Sequence, residues 1–127
     1  MHNVEVSASQ GHVRVVDLES CDLLLRVSNQ SFLDDPVVLT VWFDGVEVLS
    51  QPFEVRNQHT YVHFPLRLGP GTHQVKVSSD TGVVIEEQFM LPASGERQYA
   101  GIGYFNYADE DGKLIEWAIQ LRPMVVK

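Results

Sequence analysis

Cysteine is almost missing from this chain. Cys21 stands alone among 127 residues, so no disulfide can form within it. Stability has to come from a packed core, and a chain of this length can bury roughly two-thirds of the surface its unfolded form exposes. Basic residues are scarce as well, nine Lys and Arg against 17 Asp and Glu, for a formal net charge of -8. Arg14, Arg26 and Arg56 are the only basic residues of the first half, and those of the second half are scattered singly. Such a surface repels phosphate backbones and anionic lipid, so neither nucleic acid nor membrane is expected as a partner. Long apolar runs are also absent. Nothing approaches the roughly 20 residues that span a bilayer, and the stretch from Met1 to Val6 has neither the basic nor the apolar region of a secretion signal. Together these shortages suit a reducing cytoplasm. Low complexity, internal repeats and a capped, sustained helical period are missing too.

What is abundant is alternation, the period of a half-buried strand. Val37, Leu39, Val41 and Phe43 take one face, and Val38, Thr40 and Trp42 the other. Asp44-Gly45 then links this run to Val46–Phe53, and a two-residue Asp-Gly connection is a strong hairpin signal because both central residues take positive φ. Val62, Phe64, Leu66 and Leu68 alternate with Tyr61, His63, Pro65 and Arg67, where Pro65 lacks a ladder donor and suggests an edge or a bulge. Pro70-Gly71 and Asp80-Thr81-Gly82 turn the chain twice more. Val84, Phe89 and Leu91 cannot share one face under strict alternation, which predicts a bulge near Glu86-Glu87. Val13–Val16 and Leu23–Ser28 supply strands at the start, and Tyr99–Tyr107 and Lys113–Leu121 at the end, around the acidic tip Asp109-Glu110-Asp111-Gly112. Eight or nine short strands with frequent turns give an all-β fold class, an antiparallel sandwich. The expected organisation is one domain over residues 1–127: a body of about 1–91, a connection over 92–98 and an appended C-terminal β-hairpin over 99–121. Two strands alone are marginal in water, so that hairpin should pack on the body.

From Leu23 to Leu91 the chain resembles bacterial immunoglobulin-like or fibronectin-III-like modules. The residues that carry the likeness are Leu25-Arg26-Val27-Ser28-Asn29-Gln30 with the strand and Asp44-Gly45 hairpin after them, and Leu66-Arg67-Leu68-Gly69-Pro70-Gly71-Thr72-His73-Gln74-Val75-Lys76-Val77. The second stretch is similar to the corner that enters a late strand of such sandwiches. With Cys21 alone, the likeness is to the disulfide-free variants, and it implies an immunoglobulin-like sandwich without implying an activity.

Each candidate site also has a plainer role. On a strand His59 and His63 lie about 13 Å apart, too far to share an ion, and read as surface residues. His73 shares the face of Val75 and Val77 and is expected to tie its ring to a backbone carbonyl at the corner, as a corner tyrosine does. A calcium loop at the acidic tip would need ligands where Tyr107 and Ala118 stand, so the tip reads as a solvated turn. Catalysis needs a nucleophile beside an oriented base, or two carboxylates in a cleft. Cys21 is flanked by Glu19 and Asp22, which blunt a thiolate, and Ser28, Ser31 and Ser50 stand in no nucleophile context. No catalytic residue, metal site or cofactor is therefore expected.

Aromatics are the informative surplus. Tyr99, Gly101, Gly103, Phe105 and Tyr107 share a face of one strand, and Ala100, Ile102 and Tyr104 the other, with Trp117 on the partner strand. The two glycines leave a low trough between aromatic edges. Two roles stay open: the glycines let an aromatic settle over them in the fold, or the trough is a stacking platform for a sugar ring or a peptide. The candidate partner- or ligand-binding residues are Trp42, Tyr61, Tyr99, Tyr104, Tyr107 and Trp117. The leading functional expectation is a non-catalytic module that binds a protein partner, or itself, through the terminal hairpin or a free sheet edge. The runner-up is a carbohydrate-binding module using the same aromatics, and the third an accessory domain of an enzyme complex.

Overall fold

Along β3 (Val37–Phe43) the alternation becomes geometry: Val37, Leu39, Val41 and Phe43 are fully buried, while Val38, Thr40 and Trp42 are half-buried on the other side. The structure, a computed structural model, describes residues 13–55, 61–107 and 112–120. The remaining strands are β1 (Arg14–Val15), β2 (Leu23–Asn29), β4 (Val46–Phe53), β5 (Val62–Arg67), β6 (Gly71–Ser79), β7 (Val84–Leu91), β8 (Gln98–Asn106) and β9 (Lys113–Gln120). A 3-10 turn at Leu18–Ser20 is the one helical piece among the described residues. The fold is an all-β sandwich of two sheets, ordered β1-β5-β2-β8-β9 and β4-β3-β6-β7.

The sheets meet over one apolar cluster. Leu23, Leu25 and Val27 of β2, Val75 and Val77 of β6, and Ala100, Ile102 and Tyr104 of β8 join the inner residues of β3 there. Deleting one such buried leucine side chain typically costs about 2–5 kcal/mol. The Asp44-Gly45 turn closes the β3–β4 hairpin with φ of 53° and 83°, the two positive values such a turn demands.

One local expectation needs adjustment. No bulge occurs near Glu86-Glu87: β7 pairs with β6 in unbroken register from Ser78–Val84 to Gly71–Leu91. Val84 keeps the outward face and stays exposed, so the conflict among Val84, Phe89 and Leu91 is met by exposure instead of an extra residue. The bulge lies in the β3–β4 hairpin, where Val41 faces Leu49 but Trp42 faces Glu47, leaving Val48 as the extra residue. The terminal hairpin is added to the end of the five-stranded sheet, with β9 as its edge: β8 pairs with β2 in parallel from Leu23–Gln98 to Asn29–Tyr104, the one parallel ladder in the described fold. This pairing gives the main-chain groups along that edge of β2 their partners. Pro65 sits opposite Leu24 on β5, a strand that β1 covers only at Leu66 and Arg67, so its missing donor falls near a rim.

Candidate binding surface

Alternation along β8 turns Ala100, Ile102 and Tyr104 into the core and Tyr99, Gly101, Gly103 and Phe105 to the outside. Registers then fix what lies beside them. Gly103 has Ser28 on one side and Glu116 on the other, and Gly101 has Arg26 and Ala118. These small residues form the floor of a groove of about 460 Å³ on the outer face of the five-stranded sheet. Phe105 stands at one side, and at the other Arg26 lays its guanidinium 4.3 Å over the ring of Tyr61. Gln30 and Glu116 add polar groups, with the Gln30 amide donating to Ser28 Oγ at 3.0 Å. A methyl group at 103 would stand 3.0 Å from the Phe105 ring, which leans over it, so a side chain there would have to push the ring aside. Phe105 in turn stacks on Tyr107, with ring centres 5.9 Å apart and planes 13° from parallel.

No family model, characterised protein or solved structure matches this chain. The site must speak through its own residues.

Of the six aromatics singled out from sequence, the structure brings only some together. Tyr61 lines the groove, Tyr99 shares its face of β8, and Tyr107 backs its Phe105 wall. Tyr104 is a correction: it is fully buried, and its face of β8 is the inner one. Trp117 also points inward, packing at centroid distances of 6.2 Å from Phe43 and 5.3 Å from Phe89. Trp42 lies on the outer face of the other sheet, with the Lys76 ammonium 5.1 Å over its ring. Neither tryptophan lines the groove. The residues that sequence reasoning did not assign to the site are Arg26, Ser28, Gln30, Glu116 and Ala118. The parallel β2–β8 register brings Arg26 and Ser28 from far along the chain to one side of the glycines, and the β8–β9 hairpin sets Glu116 and Ala118 on the other.

One end of the sandwich is held by a directed chain of hydrogen bonds. The Tyr104 hydroxyl donates to Asp34 Oδ2 at 2.7 Å, so at its 2.7 Å contact with Thr81 it is Thr81 that donates. By the same logic Ser79 donates to Thr81 at 2.8 Å, and the Val83 amide donates to Ser79. Asn106 Nδ2 also donates to Asp34 at 2.7 Å. The amide of Asn106 and the hydroxyl of Tyr104 hold the Asp34 carboxyl below its usual range, helped by Lys113. Burial pushes the Tyr104 hydroxyl above its usual range, and Asp34 adds to this. Asn29 anchors the same loop, donating to the carbonyls of Asp34 and Phe53 and accepting from the Ser31 amide. Buried and doubly used, its side-chain amide is no glycan acceptor, although Asn29-Gln30-Ser31 has the form of a sequon.

At the opposite end His73 does what its corner position predicts. Its Nε2 lies 2.7 Å from the Gly69 carbonyl, which can only accept, so this nitrogen carries hydrogen. Its Nδ1 lies 2.6 Å from Asp44 Oδ2. Cys21 is buried and its thiol points at the Leu18 carbonyl. Burial pushes that thiol up and Asp22 adds to it, against the pull of Arg97. His63 is exposed on β5, whereas His59 and the acidic tip at 109–111 lie outside the described residues. Among the described residues no group of three His, Cys, Asp or Glu side chains could hold a metal ion, and no helix is long and apolar enough to cross a membrane.

Proposed function

We propose that this chain is a non-catalytic binding module that takes an extended segment of a protein partner on the outer face of its five-stranded sheet. The observation that carries this reading is the groove itself: a floor of glycine, alanine and serine between Phe105 and the Arg26–Tyr61 pair. Small floor residues let a ligand approach the sheet backbone, while the aromatic walls offer contact area at low entropic cost. The groove also borders β9, which among the described residues pairs only with β8. A partner segment can add to that edge and lay side chains across the floor. Arg26 and Glu116 set opposite charges on the two sides of its path.

An immunoglobulin-like fold is part of the same proposal. Pairing of β2 with β5, and of β4, β3, β6 and β7 in that order, follows the B–E and C′–C–F–G arrangement of such sandwiches. His73, two residues before Val75 and bonded to the Gly69 carbonyl, plays the part of the corner tyrosine. The departure is β8, which lies beside β2 where strand A would be. A reducing, cytoplasmic setting goes with this reading and rests on the lone buried thiol.

A second reading, a small glycan in the groove, is favoured by the stacked Phe105–Tyr107 pair beside Gln30 and Glu116. The two separate in one experiment. Ala118→Arg, on an exposed position of β9, fills the groove without touching the core. It is expected to leave the melting temperature within about 2 °C of wild type. Proteins recovered from the source cells by wild type and lost by Ala118→Arg and by Phe105→Ala support the protein reading. Recovery unchanged in both variants removes it. Calorimetric heat with an oligosaccharide panel, abolished by Phe105→Ala, would move the site to sugars. Tryptophan fluorescence is the wrong probe here, because Trp42 and Trp117 both lie away from the groove.

A further inference from the structure

The loop between β2 and β3 shows Phe32 66% exposed and Leu33 58% exposed, side by side. Single exposed apolar residues are ordinary, but an adjacent pair on a firmly held loop is not. This loop is held at nearly every residue. Asn29 bonds the Asp34 carbonyl and the Ser31 amide, Ser31 Oγ accepts from the amides of Leu33 and Asp34, and Asp35 accepts from the Val55 amide. Asp34 is fixed from below by Tyr104 and Asn106. Seven polar contacts thus organise the loop, and none of them uses Phe32 or Leu33 side chains. Ordering has been completed before any partner arrives, which is the condition under which a small apolar tip binds well.

We infer that the Phe32–Leu33 tip is a preformed docking knob that enters an apolar pocket on a protein partner whose rim is basic. The rim chemistry follows from the charges the structure ties to this end: Asp34, Asp35 and Asp80, with Lys113 the basic residue acting on Asp34. Acidic surroundings oppose insertion into an anionic lipid surface and favour a pocket lined by Lys or Arg. The tip also continues into the surface already assigned. Gln30 begins the loop and lines the groove, its amide donating to the Tyr104 carbonyl, and Tyr107, itself 52% exposed, lies one residue beyond Asn106. This inference rests on the protein-binding reading and extends it to a second contact.

The test places a photoreactive phenylalanine analogue at Phe32 of the full chain in its source cells. The cross-linked protein is then purified and titrated by calorimetry at about 50 and about 300 mM salt, a range over which screening changes strongly. The expected result is binding that weakens with salt and falls at least about tenfold with Phe32→Ser/Leu33→Ser. No cross-linked protein, an affinity unchanged in the double variant, or indifference to salt overturns the inference. So does sedimentation of the chain with phosphatidylcholine–phosphatidylglycerol vesicles that the double variant abolishes. Ala118→Arg separates the two surfaces. Binding lost there but kept in the double variant leaves the groove standing and removes the knob; the reverse supports the knob and removes the groove.

Discussion

At one end of the sandwich the Asp44 carboxylate meets His73 and the Gln74 amide, while Asp22 accepts from the amides of Leu68 and Gly69. At the other end the Asp34 carboxylate meets Tyr104 and Asn106. Both ends are closed by acids that accept hydrogen bonds, yet they hold different things. The first closes tight turns, Asp44-Gly45 and Gly69-Pro70-Gly71, that have no residues to spare for display. The second fixes a longer loop and leaves Phe32 and Leu33 outside it. Carboxylates used on turns complete the fold; a carboxylate used beneath a loop organises a surface.

The contrast is sharpest in the stability of single variants. Tyr104→Ala removes the largest fully buried side chain and the donor to Asp34, and should cost about 3–5 kcal/mol in urea unfolding. His73→Ala, which leaves the Gly69 carbonyl and Asp44 without their shared partner, should cost about 1–3 kcal/mol. A larger loss at His73 than at Tyr104 would break the comparison, making the turn end the stronger one.

Acid and alkali sharpen it further. Because the folded Asp34 carboxyl sits below its usual range, its contribution is complete above about pH 5 and is lost as the pH falls below about 4. Tyr104 is raised, so its contribution is complete below about pH 10 and is lost as the pH climbs through the folded value. Thermal melts from pH 7 down to pH 3 should therefore fall less steeply in Asp34→Asn than in wild type. Equal slopes would mean that the Asp34 contacts are not maintained in solution. The smallest effect is expected at the tip: Phe32→Ser/Leu33→Ser should move stability by no more than about 0.5 kcal/mol. A drop of several kcal/mol would make those side chains part of the fold.

Much of the architecture was legible because strand parity is local. The faces of β3, β6, β8 and β9, the Asp44-Gly45 turn and the His73 corner all follow from residues a few positions apart. Parity says which residues share a face but not which face is inner, and that is why Tyr104 and Trp117 stood among the binding candidates. Gly101 and Gly103 announced a trough correctly, since their lack of side chains is visible in sequence. The Arg26 and Ser28 side of the groove depends on β2 pairing with β8, a contact between distant segments that no local pattern encodes. Nothing local marks Phe32 and Leu33, because their exposure follows from hydrogen bonds made by Asn29, Ser31 and Asp34 around them.

The parallel β2–β8 ladder also sets an order of events during synthesis. One side of β2 waits for a strand that begins at Gln98, so a growing chain carries that open edge until the residues of β8 have been made. Pairings between such distant segments form late and slowly, since the long intervening loop has to close first. Until then the unpaired amides and carbonyls along that side of β2 form an open strand edge, the kind of surface that other strands can pair with.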